Sequence, residues 1–205
     1  MLAIDHTSLS SVVAAAKKFL GLERSLHELV NNAGIMSTPY EITGDGYEAQ
    51  WQVNYLAHLV FTALLLPVLT ATARREKELG EGRIRIVNFI SWGDYGAPKE
   101  GVRFGETGLE GEDGMPRYGQ PKPANILHAK TLHKAYGLGS SSSLGGGKIW
   151  ISIVHPGLVD FDLGNEAQCR PWGLPHEPLL SAPGSTACLL SPTSPLELVR
   201  APFSI

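Results

Sequence analysis

A phenol and an ammonium stand four residues apart at Tyr118 and Lys122, inside the stretch RYGQPKPANILHAK, Arg117 to Lys130. That spacing can put both groups on one helix face. A free phenol titrates near ~10, so it needs a neighbouring cation to bring it toward an operating pH, and an ammonium favours the phenolate. The chemistry suggested is proton transfer to or from an oxygen. The same spacing is also that of an ordinary solvated helix face, and prolines at 121 and 123 interrupt the stretch. Other residues become interesting beside it. Ser91 ends an apolar run, Asn54 lies in a long helical pattern, and NNAG (Asn31 to Gly34) and HPG (His155 to Gly157) each follow apolar runs. Singly, these read as a cap, a polar helix position and two turns.

The elements that must position them alternate in period. Met1 to Asp5 is a strand stub at most. Thr7 or Ser8 can then cap a helix through SVVAAAKKFL that stops at Gly21. The short apolar run Leu26 to Val30 leads into NNAG and reads as a buried strand. From Tyr47 to about Leu79 the apolar spacing is helical, with Asp45 as the expected cap and Pro67 as the expected bend. RIRIVNFIS, Arg83 to Ser91, is the next strand. A Gly-rich segment, 93 to 114, follows it, of a length that is usually functional or mobile. A helix carries the Tyr118 stretch to about Tyr136. GLGSSSSLGGG is flexible by composition, and IWISIV, residues 149 to 154, is a third strand. Helices alternating with buried strands predict an α/β layer structure around a parallel sheet, in which ligands bind beyond the carboxyl ends of the strands. NNAG, Ser91 and HPG all fall at such ends. The organisation expected is one α/β domain over 1–163, followed by an irregular proline-rich tail over 164–205 without a clear final strand.

Composition narrows the partners. The 205 residues carry a formal charge of −3 with no basic stripe, so neither a nucleic acid nor an anionic membrane is expected as a partner. Cys169 and Cys188 lack CxxC spacing and read as free thiols of a reducing compartment, which with the absence of a secretory signal predicts a cytoplasmic chain. The scattered histidines predict no metal. Leu59 to Ala73 is apolar but interrupted by Pro67, and reads as a buried or interface helix rather than a transmembrane segment.

Taken in order, Asp5, VNNAGIM (Val30 to Met36), VNYLAH (Val53 to His58), RIVNFIS (Arg85 to Ser91), YGQPK (Tyr118 to Lys122) and SIVHPGLV (Ser152 to Val159) resemble the short-chain dehydrogenase/reductase family. The resemblance covers most of residues 2 to 163. Its closest flavour is the branch of retinol dehydrogenases and fungal reductases. The resemblance implies a Rossmann-type parallel sheet with flanking helices and NAD(P)-dependent hydride transfer between a carbonyl and an alcohol, with NADP expected and NAD the alternative. It makes Tyr118 the general acid/base, Lys122 its electrostatic partner, Ser91 the donor to the substrate carbonyl, and Asn54 the holder of a proton-relay water. It assigns the cofactor to Asp5, Asn32, Ala33, Gly34, Tyr118, Lys122 and Val159, and it implies a homo-oligomer through the helix at 47–79.

The resemblance is incomplete. The family's strand, Gly-rich turn and helix, whose amides receive the pyrophosphate, have no counterpart here. The expected sheet is therefore reduced, with its first two strands missing and the strand before NNAG left as an uncovered edge. Pro121 and Pro123 replace small or aliphatic residues, Phe161 replaces a hydroxyl residue after PG, and Ile90 replaces the first of two strand-end serines. Three readings stay open: a piece of a working enzyme, a non-catalytic remnant that binds protein through its long helix, and a subunit completed by another chain.

Overall fold

The computed structural model describes residues 2–76, 83–91, 96–138, 140 and 149–156, together with the backbone of two further strands at 187–190 and 198–201. Strands β1 (Glu28–Asn31), β2 (Arg85–Phe89), β3 (Trp150–His155), β4 (Ala187–Leu190) and β5 (Leu198–Ala201) form one sheet in that spatial order. β1, β2 and β3 are parallel, with Leu29 beside Ile86 and Ile86 beside Ile151. β4 and β5 continue the sheet in antiparallel fashion. The parallel α/β architecture is thus as expected. Two strands inside the segment read as irregular are not, because an apolar patch of four residues has no periodicity to distinguish strand from loop.

Helices α1 (Leu9–Leu22), α2 (Ala49–Arg75), α3 (Gly114–Gly119) and α4 (Pro121–Tyr136) complete the fold. One apolar core joins Ala16 of α1, Leu65, Val68 and Leu69 of α2, and Ala129 and Leu132 of α4 to Leu29, Ile84, Ile86, Ile149, Ile151 and Ile153 of the sheet region. Each fully buried Leu or Ile of this set stabilises the fold by roughly 1.5–3 kcal/mol. By length and apolar composition α2 could cross a membrane, but half of its most apolar stretch is buried within the fold, where it supplies the core. It runs unbroken through Pro67.

The caps differ from expectation in an informative way. Ser8 caps α1 as foreseen, its hydroxyl accepting from Ser11 N–H at 3.3 Å. Asp45 caps α1 as well, accepting from Leu9 N–H at 2.7 Å and from the Gln52 amide at 2.8 Å, while Glu48 caps α2 by accepting from Trp51 N–H at 2.8 Å. Asp45 therefore ties two helix starts together, a tertiary role that local spacing does not encode.

β1 lies at the sheet edge, with Leu29 and Asn31 turned inward and Val30 49% exposed. Within the Gly-rich segment 93 to 114, expected to be functional or mobile, the described residues 96–113 form a clasped turn structure. The buried Gln120 side chain accepts from Arg103 N–H at 2.8 Å and donates to Thr107 C=O at 3.0 Å, and Arg103 pairs with Glu100 at 3.0 Å. Leu109 is fully buried beneath that turn at φ 46°.

Candidate active site

Asn54 sits where α2 is locally wound as a π-turn, Gln52–Leu56. Such turns interrupt the regular ladder and recur at functional sites. Here the Asn54 carbonyl accepts from the Asn125 amide at 3.0 Å, so a helix irregularity on α2 is answered by a side chain of α4. The Asn54 side chain is engaged at both its oxygen and its nitrogen. It accepts from Ile35 N–H at 2.8 Å and donates to Ile35 C=O at 2.9 Å, fixing the turn that leaves β1. Gly34 lies against it: a Cβ on Gly34 would stand 3.1 Å from Asn54 Oδ1. Asn32 and Ala33 are exposed at the carboxyl end of β1.

Tyr118 and Lys122 lie on either side of the α3–α4 junction at Gln120. The two prolines explain that junction, since they delete the donors that would reach the carbonyls of Arg117 and Gly119. Gln120 nevertheless keeps helical backbone angles, so the one-turn spacing survives. The Lys122 ammonium stands 4.5 Å from the centre of the Tyr118 ring. Ser91, at the end of β2, hydrogen-bonds the Tyr118 phenol. Burial pushes the Tyr118 phenol above its ordinary value of 10.0, and the Ser91 hydrogen bond pulls it part of the way back. Desolvation of the phenolate outweighs that hydrogen bond, so the net direction is upward.

The structure thus brings Ser91, Tyr118 and Lys122 together and connects Asn54 to the same helix through Asn125, three residues after Lys122. Asp5 is exposed, and its carboxylate accepts from the Thr7 N–H at 2.9 Å and the Thr7 hydroxyl at 2.6 Å. The start of α2 links this segment to the β1 turn, because Gln52 donates to His6 C=O at 3.3 Å while Asn54 holds Ile35. Val159 and Phe161 lie outside the described residues.

Composition and spacing missed several polar residues around the site. Arg117, Glu48, Gln50, Gln120 and Asn125 are all buried. Buried polar side chains need partners, so each is committed to a specific contact. Their only sequence signal is a polar residue on an otherwise apolar helix face, which also describes a solvated position.

Comparison with known proteins agrees with this geometry. The chain is 50% identical over 165 residues to the short-chain dehydrogenase/reductase drtF of Aspergillus calidoustus, covering 80% of this chain and 52% of that protein. It is 34% identical over 174 residues to retinol dehydrogenase 11 of Mus musculus, covering 82% of this chain and 48% of that one. The chain belongs to the short-chain dehydrogenase/reductase family. It spans about half the length of the curated relatives it matches. No family model matches it. A short-chain dehydrogenase/reductase of Burkholderia phymatum, solved with NAD, shares the fold at TM-score 0.52 and 20% identity, covering 85% of this chain and 53% of that one. The Pseudomonas aeruginosa RhlG/NADP complex does so at 0.51 and 23%, covering 78% and 54%.

Proposed function

We propose that the protein to which this chain belongs is a nicotinamide-dependent reductase that transfers hydride between a carbonyl carbon and the corresponding alcohol. The observation that carries the proposal is the cluster of Ser91, Tyr118 and Lys122 at the carboxyl end of the sheet. Ser91 would fix the carbonyl oxygen by hydrogen bonding, and Tyr118 would give that oxygen its proton. A phenol held above its ordinary range is protonated at neutral pH, which suits the donor role in carbonyl reduction. Lys122 supplies positive charge beside the ring, where it stabilises the phenolate left after proton transfer.

The cofactor would supply the hydride. The residues present fit it in part. Gly34 leaves open the space beside Asn54 that a Cβ would crowd, and Asn32 and Ala33 are exposed at the strand end. Asp5 and Lys122 would reach the adenine and the ribose, and Val159 the nicotinamide amide. The family relation supports this assignment, and NADP is the expected form, with NAD the alternative.

Calorimetric titration of NADP and of NAD into the purified chain tests the reading. Micromolar binding of either is expected. A folded sample that binds neither would overturn hydride transfer by this chain and favour a protein-binding remnant, with the exposed side of α2 as its contact surface.

A further inference from the structure

Two charged side chains that take no direct part in the chemistry above are buried beside it. Glu48 is 2% exposed and Arg117 is 6% exposed. Their facing atoms, Glu48 Oε1 and Arg117 Nη1, stand 3.9 Å apart, and neither has a hydrogen-bond partner among the described residues. Arg117 Nη2 donates to Thr38 C=O at 2.9 Å, and its guanidinium lies over the Tyr40 ring at 5.4 Å from the centroid. The other Glu48 oxygen caps α2.

Burying both charges is costly, and apolar residues of the same size would often serve stability as well. Their place in the chain suggests what they do instead. Glu48 begins the helix that carries Asn54, and Arg117 immediately precedes Tyr118. The contact between them is reinforced next door. Gln50 accepts from Ser37 N–H at 2.8 Å and donates to Gly114 C=O at 3.1 Å. A Cβ on Gly114 would fall 2.7 Å from Ser37 Oγ and 3.0 Å from Ser37 Cα, so the start of α3 is pressed directly against the 35–38 segment. Gln50 thus ties the start of α2 both to the segment after β1 and to the short helix bearing the phenol.

We propose that Glu48 and Arg117 are positioning residues that set the Tyr118 helix against the start of α2, keeping the phenol within hydrogen-bonding reach of Ser91. The proposal rests on the assignment of Tyr118 as the proton donor, but its geometry can be tested without turnover. A planar guanidinium is required because one group must reach Thr38 C=O, face Glu48 and stack on Tyr40 together, which a lysine ammonium cannot do.

The test is the titration of the Tyr118 phenol in the full chain, followed by ring-carbon NMR with labelled tyrosine and assigned by the resonance lost in Tyr118→Phe. Ser91→Ala removes a hydrogen bond to the phenol and is expected to move its titration upward. Glu48→Gln and Arg117→Lys should each produce an upward shift comparable to that of Ser91→Ala, and adding either to Ser91→Ala should change it little further. Ile86→Val, a core change in β2, controls for simple destabilisation and should leave the titration in place. Should Glu48→Gln fail to fold, Arg117→Lys, which keeps the charge, carries the test. An unmoved phenol in a folded Arg117→Lys chain would overturn the proposal, as would a shift that adds fully to that of Ser91→Ala or is reproduced by Ile86→Val. If the shifts appear while Tyr118→Phe keeps full turnover, the positioning stands and the proton-donor assignment falls.

Discussion

The Lys122 ammonium stands over the face of the Tyr118 ring, 4.5 Å from its centre, while Ser91 engages the phenol oxygen. Two different groups therefore act on one side chain from two directions. In the proposed mechanism the serine bears on the oxygen that would exchange the proton, and the lysine on the ring that would hold the charge afterwards. Replacing Lys122 by Met would keep much of the stem and remove the charge. Where turnover is measured, it should reduce kcat by roughly 10²-fold or more. A Lys122→Met chain with unchanged kcat would show that the ammonium has no part in the proton transfer.

Asn54, a candidate site residue, should also be a stability residue. Asn54→Ala removes both hydrogen bonds to Ile35 and leaves that backbone pair without its partner, which should cost about 2–3 kcal/mol in denaturant unfolding. Gly34→Ala should also destabilise, because Asn54 Oδ1, 3.1 Å from the new Cβ, is held by Ile35 and cannot give way freely. An Asn54→Ala loss below about 0.5 kcal/mol would mean that the clamp is not made in solution.

Much of this was legible in the sequence, and the limit has a physical cause. The YxxxK spacing, the strand-end Ser91 and the NNAG turn are local patterns, and each lies near its expected place. So do the three parallel strands, because β-branched apolar runs bounded by turns announce buried strands. What escaped was long-range polar pairing. Nothing local says that Asp45 caps α1 rather than α2, or that Arg117 is buried beside Glu48. The burial that raises the Tyr118 phenol is likewise a tertiary property, which spacing does not carry.

Gln120 should control the 96–113 segment. Gln120→Ala releases Arg103 N–H and the Thr107 carbonyl together, and should speed limited proteolysis within that segment while lowering stability by about 1–2 kcal/mol. Gln120→Glu keeps the acceptor for Arg103 but loses the donor to Thr107, and should fall between. Cleavage rates unchanged in Gln120→Ala would indicate that the segment is held by its own salt bridges instead.

Acid should destabilise the fold through His58. This imidazole is 4% exposed, packs edge-on against His6 with ring centroids 5.4 Å apart, and is held down at about 3, chiefly by burial and then by the charges of His6 and Lys122. Its folded value lies below the unfolded one of 6.5, so between 6.5 and about 3 the unfolded chain binds a proton that the folded chain does not. Stability should therefore fall with falling pH across that window, by at most ~1.4 kcal/mol per pH unit from this group. His6 and His128, also lowered by burial, add to the same slope. His58→Leu should flatten the acid limb of a Tm-against-pH curve. An equally steep limb in that variant would assign the acid sensitivity elsewhere.

The proposed proton-donor role of Tyr118 is tested most directly by the rate of carbonyl reduction with NADPH or NADH in wild type and Tyr118→Phe, followed by nicotinamide absorbance. The phenylalanine variant keeps the ring beneath Lys122 and loses only the hydroxyl that Ser91 engages. A fall in kcat of about 10²–10⁴-fold is predicted, the range for losing a positioned general acid. Turnover by Tyr118→Phe at the wild-type rate would contradict it.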